Sequence, residues 1–142
     1  MAQKIKVFVD SDIIISSQIS NQGAAYFLLY KADLELYVSN LSLTEFMDVA
    51  KRLKIKAGRL TSLIKTRFNK VHLKENLNEM ERRFNHYTND PNDIHVVAGA
   101  VLASVDFLLT YNVRDFEIDE IKKDFNLICL RPAQFLQYIR NR

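Results

Sequence analysis

VFVDSD, residues 7–12, is an unalternating apolar run that ends on one aspartate and meets a second after a single serine. A short run rich in β-branched and aromatic residues reads as a strand, and its lack of polar alternation reads as burial on both faces. Strands of that kind belong to parallel sheets covered by helices on each side. In such a sheet every strand ends on the same edge, and ligands bind there, where the strand order reverses. Asp10 and Asp12 therefore stand where a buried strand opens onto a binding edge.

Outward from this stretch, the chain reads as strands separated by helices. KVFVD (6–10), LELYVS (34–39), DFLLT (106–110) and NLICL (126–130) are the predicted strands. GAAYFLLYKAD (23–33) places Ala25, Leu28 and Leu29 on one helical face, and SLTEFMDVAKRLKI (42–55) repeats Phe46, Val49, Ala50 and Leu53 at helical spacing. Ser42 and Glu45 have the spacing of a capping box. Further helices are predicted over 58–70, 76–87 and 89–105, with Pro91 near the start of the last, and over 132–141 from Pro132. The pattern predicts an α/β fold, a three-layer α/β/α arrangement about a central parallel, doubly wound sheet. At 142 residues, one domain spanning 1–142 is expected.

Composition narrows the class. A hydrophobic fraction of 48% and a charged fraction of 26%, with three Gly and two Pro, are those of a globular protein and argue against disorder. No apolar stretch reaches the roughly 18 residues of a membrane span, and residues 1–6 lead into a strand without a cleavable apolar segment, so a cytoplasmic protein is expected. The lone Cys129 excludes an internal disulfide framework and, within NLICL, reads as core. Charge is unevenly spread: residues 51–74 hold Lys51, Arg52, Lys54, Lys56, Arg59, Lys65, Arg67, Lys70 and Lys74, nine of the chain's 20 Lys and Arg, and none of its 17 Asp and Glu. Such a stretch is either a solvated helical face or a surface that tracks a phosphate backbone. With Phe68 its one aromatic residue, it offers no case for base stacking.

Four segments distant in sequence are predicted to bring carboxylates to one edge. Asp10 and Asp12 follow the first strand, Glu45 lies in the first turn of the helix after the second, Asp93 opens a helix, and Asp115 follows DFLLT. Ionised carboxylates held together repel unless a cation sits among them. Mg²⁺ prefers oxygen ligands and commonly bridges carboxylates to a substrate phosphate, which points to attack of activated water on phosphorus. Each residue also has a purely structural reading: Glu45 as the partner of Ser42 in a cap, Asp90 as the cap before Pro91, Asp93 as a favourable charge in a first helical turn, Asp12 and Asp115 as turn caps. His95 is read as structural, because a hard-ion carboxylate site has no need of imidazole; His72 and His86 form no pattern.

Four blocks, VFVDSDIIIS, SNLSLTEFMDVA, NDPNDIHVVAGAVLASVDFLLTYNVRDF and LICLRPAQFLQYI, resemble those of a PIN domain, the fold of VapC-type toxins of toxin–antitoxin modules. The resemblance implies a PIN-like fold and an Mg²⁺- or Mn²⁺-dependent ribonuclease. Carried over by position, it implicates Asp10, Glu45, Asp93 and Asp115 as metal-binding and catalytic, with Ser11, Asp12 and Asn112 as neighbouring polar groups. Asn112 stands where relatives often have Asp. RNA becomes the natural partner of Lys51, Arg52, Lys54, Lys56, Arg59, Lys65 and Arg67; an antitoxin protein and a second copy forming a homodimer are the other partners implied, with no membrane. Two rivals remain: a degenerate domain that binds RNA or a protein without cutting, and a haloacid dehalogenase-like phosphatase in which Asp10 would be the nucleophile and Asp12 an acid/base.

Overall fold

The computed structural model describes residues 3–142. Ile5–Val9 forms β1, Leu34–Ser39 β2, Phe68–Val71 β3, Phe107–Leu109 β4 and Ile128–Leu130 β5. All pair in parallel, in the order β3-β2-β1-β4-β5. The chain thus winds from β1 out to β3, returns across the sheet to β4, and ends at β5. The reversal lies between β1 and β4, the crevice in which doubly wound sheets hold their ligands.

Alternate side chains of the central strands serve two different cores, which is why the runs read as continuously apolar. Val7 and Val9 of β1 and Phe107 and Leu109 of β4 face one layer, while Phe8 and Leu108 face the other. The first layer contains α1 (Ser11–Ile19), α2 (Ala24–Tyr30), α3 (Asn40–Arg52), α4 (Ala57–Arg67) and α8 (Pro132–Arg140), packed through Ile13, Leu28, Phe46, Leu60 and Phe135. The second contains α5 (Leu77–Phe84), α6 (Ile94–Leu102) and α7 (Ile118–Phe125), packed through Met80, Val97 and Ile121. Cys129 is buried in this second core, and desolvation pushes its thiol up to about 12, as suits a core residue. Among the described residues, no helix is long and apolar enough to cross a membrane.

Three elements differ from the sequence-based expectation. Helix α1 follows β1 at once; its Ile13–Ile15 run and scattered serines carry no helical period, and its start is set by Asp10, whose side chain accepts from the Ser11 amide at 2.8 Å. The helix predicted over 58–70 stops at Arg67, and its last residues become β3, paired with Leu36–Ser39 on the open edge of the sheet. Exposed Asn69 and Lys70 blur the strand signal there, as polar residues on edge strands do. Helix α7 occupies a stretch assigned to no element and ends at Asn126 in the left-handed conformation, φ 54°.

Helix α6 lies close against β1 because Gly99 permits it. A Cβ at this position would sit 2.7 and 2.8 Å from Cζ and Cε2 of the buried Phe8 ring. Gly99→Ala should therefore lose about 1–2 kcal/mol of stability, overpacking outweighing the gain of ~0.8–1 kcal/mol in helix propensity. Chemical denaturation measures this directly; a variant at least as stable as the parent would contradict the close approach.

Candidate metal centre

Asp10 leaves the C-terminal end of β1 with 4% of its surface exposed. Its amide donates to the Leu109 carbonyl of β4 at 3.0 Å, which holds it at the reversal of strand order. Its carboxylate accepts from the Ser11 amide at 2.8 Å and from Thr110 Oγ1 at 2.8 Å. Burial raises its pKa above 3.8; the Thr110 hydrogen bond opposes that shift and the Glu45 charge adds to it.

Glu45 is not a cap. Helix α3 begins at Asn40, capped by Ser39, whose Oγ accepts from the Ser42 amide at 3.0 Å. That corrects the expected Ser42–Glu45 box and moves Glu45 into the second turn, free for other use. One of its oxygens, Oε1, accepts from Ser11 Oγ, and the other, Oε2, lies 3.1 Å from His95 Nε2. The hydrogen bond from His95 is the largest influence on Glu45 and lowers its pKa. His95, set aside on sequence grounds, thus touches the acidic edge through α6.

Asp93 closes a short 3₁₀ turn, Pro91–Asp93, immediately before α6. The turn begins as the sequence suggested, with Asp90 accepting from the Asn92 amide at 3.0 Å. Across from it, Val113–Asp115 forms another 3₁₀ turn. Two contacts tie these loops together: the Asn89 amide donates to the Asp115 carbonyl at 2.7 Å, and Thr88 Oγ1 donates to the same oxygen at 3.1 Å. Ligand oxygens of Asp90, Asp93 and Asp115 consequently lie within 4.8 Å of one another. Asp90, read in the sequence only as a cap, belongs to this group.

Asp93 joins the two sets of carboxylates. It lies in the Asp90–Asp115 group, and its pKa, raised to about 7 first by burial, is raised further by Asp10, Asp90 and Glu45. Asp12 is also raised to about 7, by burial and then by Asp10 and Asp93, although its Oδ2 accepts from the Tyr111 amide at 3.2 Å. Asp93 Oδ2 and Asp12 Oδ1 are buried and lack any hydrogen-bond donor. A donor set made of carboxylate oxygens, two of them unpartnered, fits a hard divalent cation. Asn112 contributes its amide, which donates to Thr110 Oγ1 at 3.1 Å; its side chain is exposed, and Asp115 rather than Asn112 supplies the carboxylate beside Asp90 and Asp93.

The basic stretch divides between the two edges of the sheet. Helix α3 runs away from the acidic edge, so Lys51 stands about 9 Å along the axis from Glu45, and Arg52, Lys54 and Lys56 follow beyond it. Arg67 is engaged with the end of α2, donating to the carbonyls of Leu29 at 2.8 Å and Ala32 at 2.6 Å. The Arg59 guanidinium lies 5.7 Å from the centre of the Tyr30 ring, and Lys65 borders an apolar groove between α3 and α4. Lys70 and Lys74 instead return to the acidic edge: the exposed Lys70 is near the end of β3, and Leu73 exchanges hydrogen bonds with Asn40 at the start of α3.

A family model described as PIN domain matches residues 6–114. A comparison with curated proteins finds no match. Solved structures of similar fold include a toxin–antitoxin complex from Klebsiella pneumoniae, with a TM-score of 0.66 and 20% identity over 89% of this chain and 97% of that one. VapBC2 from Rickettsia felis, bound to a promoter DNA fragment, gives 0.60 and 14% over 89% and 98%. PAE2754 from Pyrobaculum aerophilum gives 0.59 and 14% over the full length of both chains.

The raised carboxylates set a pH dependence. Between about pH 4 and 7, folded Asp93 and Asp12 keep protons that the unfolded chain has released, so these groups lower stability as pH rises through that window. Glu45, shifted the other way, stabilises above the ordinary carboxylate range and loses that contribution as pH falls through it. In metal-free buffer, Asp93→Asn should melt higher than the parent at pH 8, and the difference should shrink by pH 5. Equal melting temperatures at pH 8 would contradict the crowding of charge around Asp93.

Proposed function

The chain belongs to the PIN-domain family, and from that premise we propose that residues 1–142 form one metal-dependent nuclease domain that hydrolyses RNA phosphodiester bonds, the toxin component of a toxin–antitoxin module. The observation that carries this reading is the position of Asp93, shared between Asp90 and Asp115 on one side and Asp10 and Glu45 on the other. Asp10, Glu45, Asp93 and Asp115 would hold Mg²⁺ or Mn²⁺. A bound divalent ion supplies Lewis acidity toward a phosphoryl oxygen and makes water a stronger nucleophile at neutral pH.

The chain's own residues prepare that chemistry. Thr110 and the Ser11 amide fix both Asp10 oxygens, and Ser11 Oγ fixes one oxygen of Glu45, so these carboxylates keep their orientation without a cation to organise them. Attack on phosphorus with departure of the 3′ oxygen leaves 5′-phosphate and 3′-hydroxyl ends. The haloacid dehalogenase-like alternative would make Asp10 a nucleophile, and that reading gives Glu45 and Asp93 no task. An antitoxin partner is supported by the toxin–antitoxin complex from Klebsiella pneumoniae, whose matched chain this one covers to 97%.

Cleavage of end-labelled single-stranded RNA tests the reaction. Activity should require Mg²⁺ or Mn²⁺, vanish in EDTA, and fall at least about 100-fold in Asp93→Asn while the circular dichroism spectrum is unchanged. Cleavage that survives EDTA, or full activity in Asp93→Asn, would overturn the assignment. For the RNA path, Lys70→Gln with Lys74→Gln should reduce the slope of log K against log salt by about 1.4, some 0.7 for each phosphate no longer neutralised. The same change at Lys54 and Lys56 should leave the slope as it was. A reversed result would put the RNA on the opposite edge of the sheet.

A further inference from the structure

His95, in the first turn of α6, reaches across to α3 and contacts a carboxylate of the acidic edge. Its side chain is 14% exposed, its Nε2 lies 3.1 Å from Glu45 Oε2, and its Nδ1 is buried with no partner. A histidine retained only to fill a core ordinarily satisfies both ring nitrogens. Here the ring is oriented from the Glu45 side alone, and it accepts an unpaired Nδ1 to make that contact.

The start of α6 therefore supplies two groups with different targets. Asp93 closes the 3₁₀ turn just before α6, and His95 is the second residue of the helix itself. Asp93 faces Asp90 and Asp115, while His95 reaches across to α3. Glu45 is the more exposed carboxylate, with 43% of its side chain accessible, and without restraint it would sample several rotamers. Ser11 of α1 and His95 of α6 each take one of its oxygens. An ionised carboxylate has about four lone-pair directions, so two remain for a cation after both donors are satisfied.

We propose that His95 is a positioning residue for the metal centre: with Ser11 it clamps the Glu45 carboxylate so that its free lone pairs face the ion. The proposal rests on the metal-binding reading above and deepens it. Donors of this kind, one bond removed from the ion, typically govern 10- to 100-fold in metal affinity. His95→Gln places an amide nitrogen at nearly the depth of Nε2 and keeps the donor to Glu45. His95→Ala removes it.

The test is calorimetric titration of the apoprotein with MnCl₂ alone, at pH 8, with the fold of each variant checked by circular dichroism. His95→Ala should bind Mn²⁺ about 10- to 100-fold more weakly than the parent, Ser11→Ala should weaken it comparably, and His95→Gln should stay within about threefold of the parent. A packing role would instead make Gln fail as Ala does, because Gln does not restore the ring's shape. Unchanged affinity in His95→Ala, or equal loss in Ala and Gln, overturns the proposal and leaves the metal centre standing. If the parent protein itself binds no Mn²⁺, the metal reading fails and the proposal falls with it. Should His95→Ala not fold, Ser11→Ala and His95→Gln decide the matter: a weakened Ser11→Ala beside an unimpaired His95→Gln supports the clamp, and any other pair refutes it.

Discussion

Strand β1 is hydrogen-bonded on both sides, to β2 and to β4, and most of the candidate site depends on that double pairing. Because both partners run parallel to it, all three strands release their chains at one edge. Asp10 emerges from β1, Ser39 caps α3 at the end of β2, and Thr110 follows β4. The close seating of α6 over Phe8, which Gly99 allows, then fixes the height at which Asp93 and His95 arrive. A buried sheet centre and an acidic edge are thus two consequences of one topology.

The edge is electrostatically unfavourable in the protein alone. Asp10, Asp12 and Asp93 are all raised, first by burial; the Glu45 charge adds to the shift of Asp10, the Asp10 charge adds to those of Asp12 and Asp93, and buried oxygens of Asp12 and Asp93 have no donor. Folds keep such arrangements at functional sites, where the perturbed groups have a task. The hydrophobic layers on both faces supply the stability that tolerates it, since each fully buried Phe, Leu or Ile contributes on the order of 1.5–3 kcal/mol. Glu45 is the exception: two donors from different helices hold it in the ionised state.

Much of this was legible in the sequence, for identifiable reasons. VFVD, DFLLT and NLICL announce strands buried on both faces, and the predicted parallel, doubly wound α/β sheet follows from the helices between them. The structure brings Asp10, Glu45 and Asp93 into mutual electrostatic range and places Asp115 beside Asp93. What escaped was the meeting of remote segments. Nothing local distinguishes Asp90 as a cap from Asp90 as a member of a carboxylate group, because the difference lies in the tie between residues 88–89 and Asp115. His95 escaped for the same reason: its partner is 50 residues away on another helix. The basic stretch could not be resolved by sequence alone either, since a strand and two helices carry Lys51, Arg52, Lys54 and Lys56 away from the acidic edge and Lys70 back toward it, and Arg67 is engaged with the carbonyls of Leu29 and Ala32.

On the proposed function, Asp93 is a shared ligand of a divalent cation at the reversal of strand order. Anomalous diffraction from crystals soaked in MnCl₂ tests it most directly. A manganese peak is expected at coordination distance from an Asp93 carboxylate oxygen, with further carboxylates of the edge around it. A well-occupied peak elsewhere on the protein, or none at this edge, would contradict it.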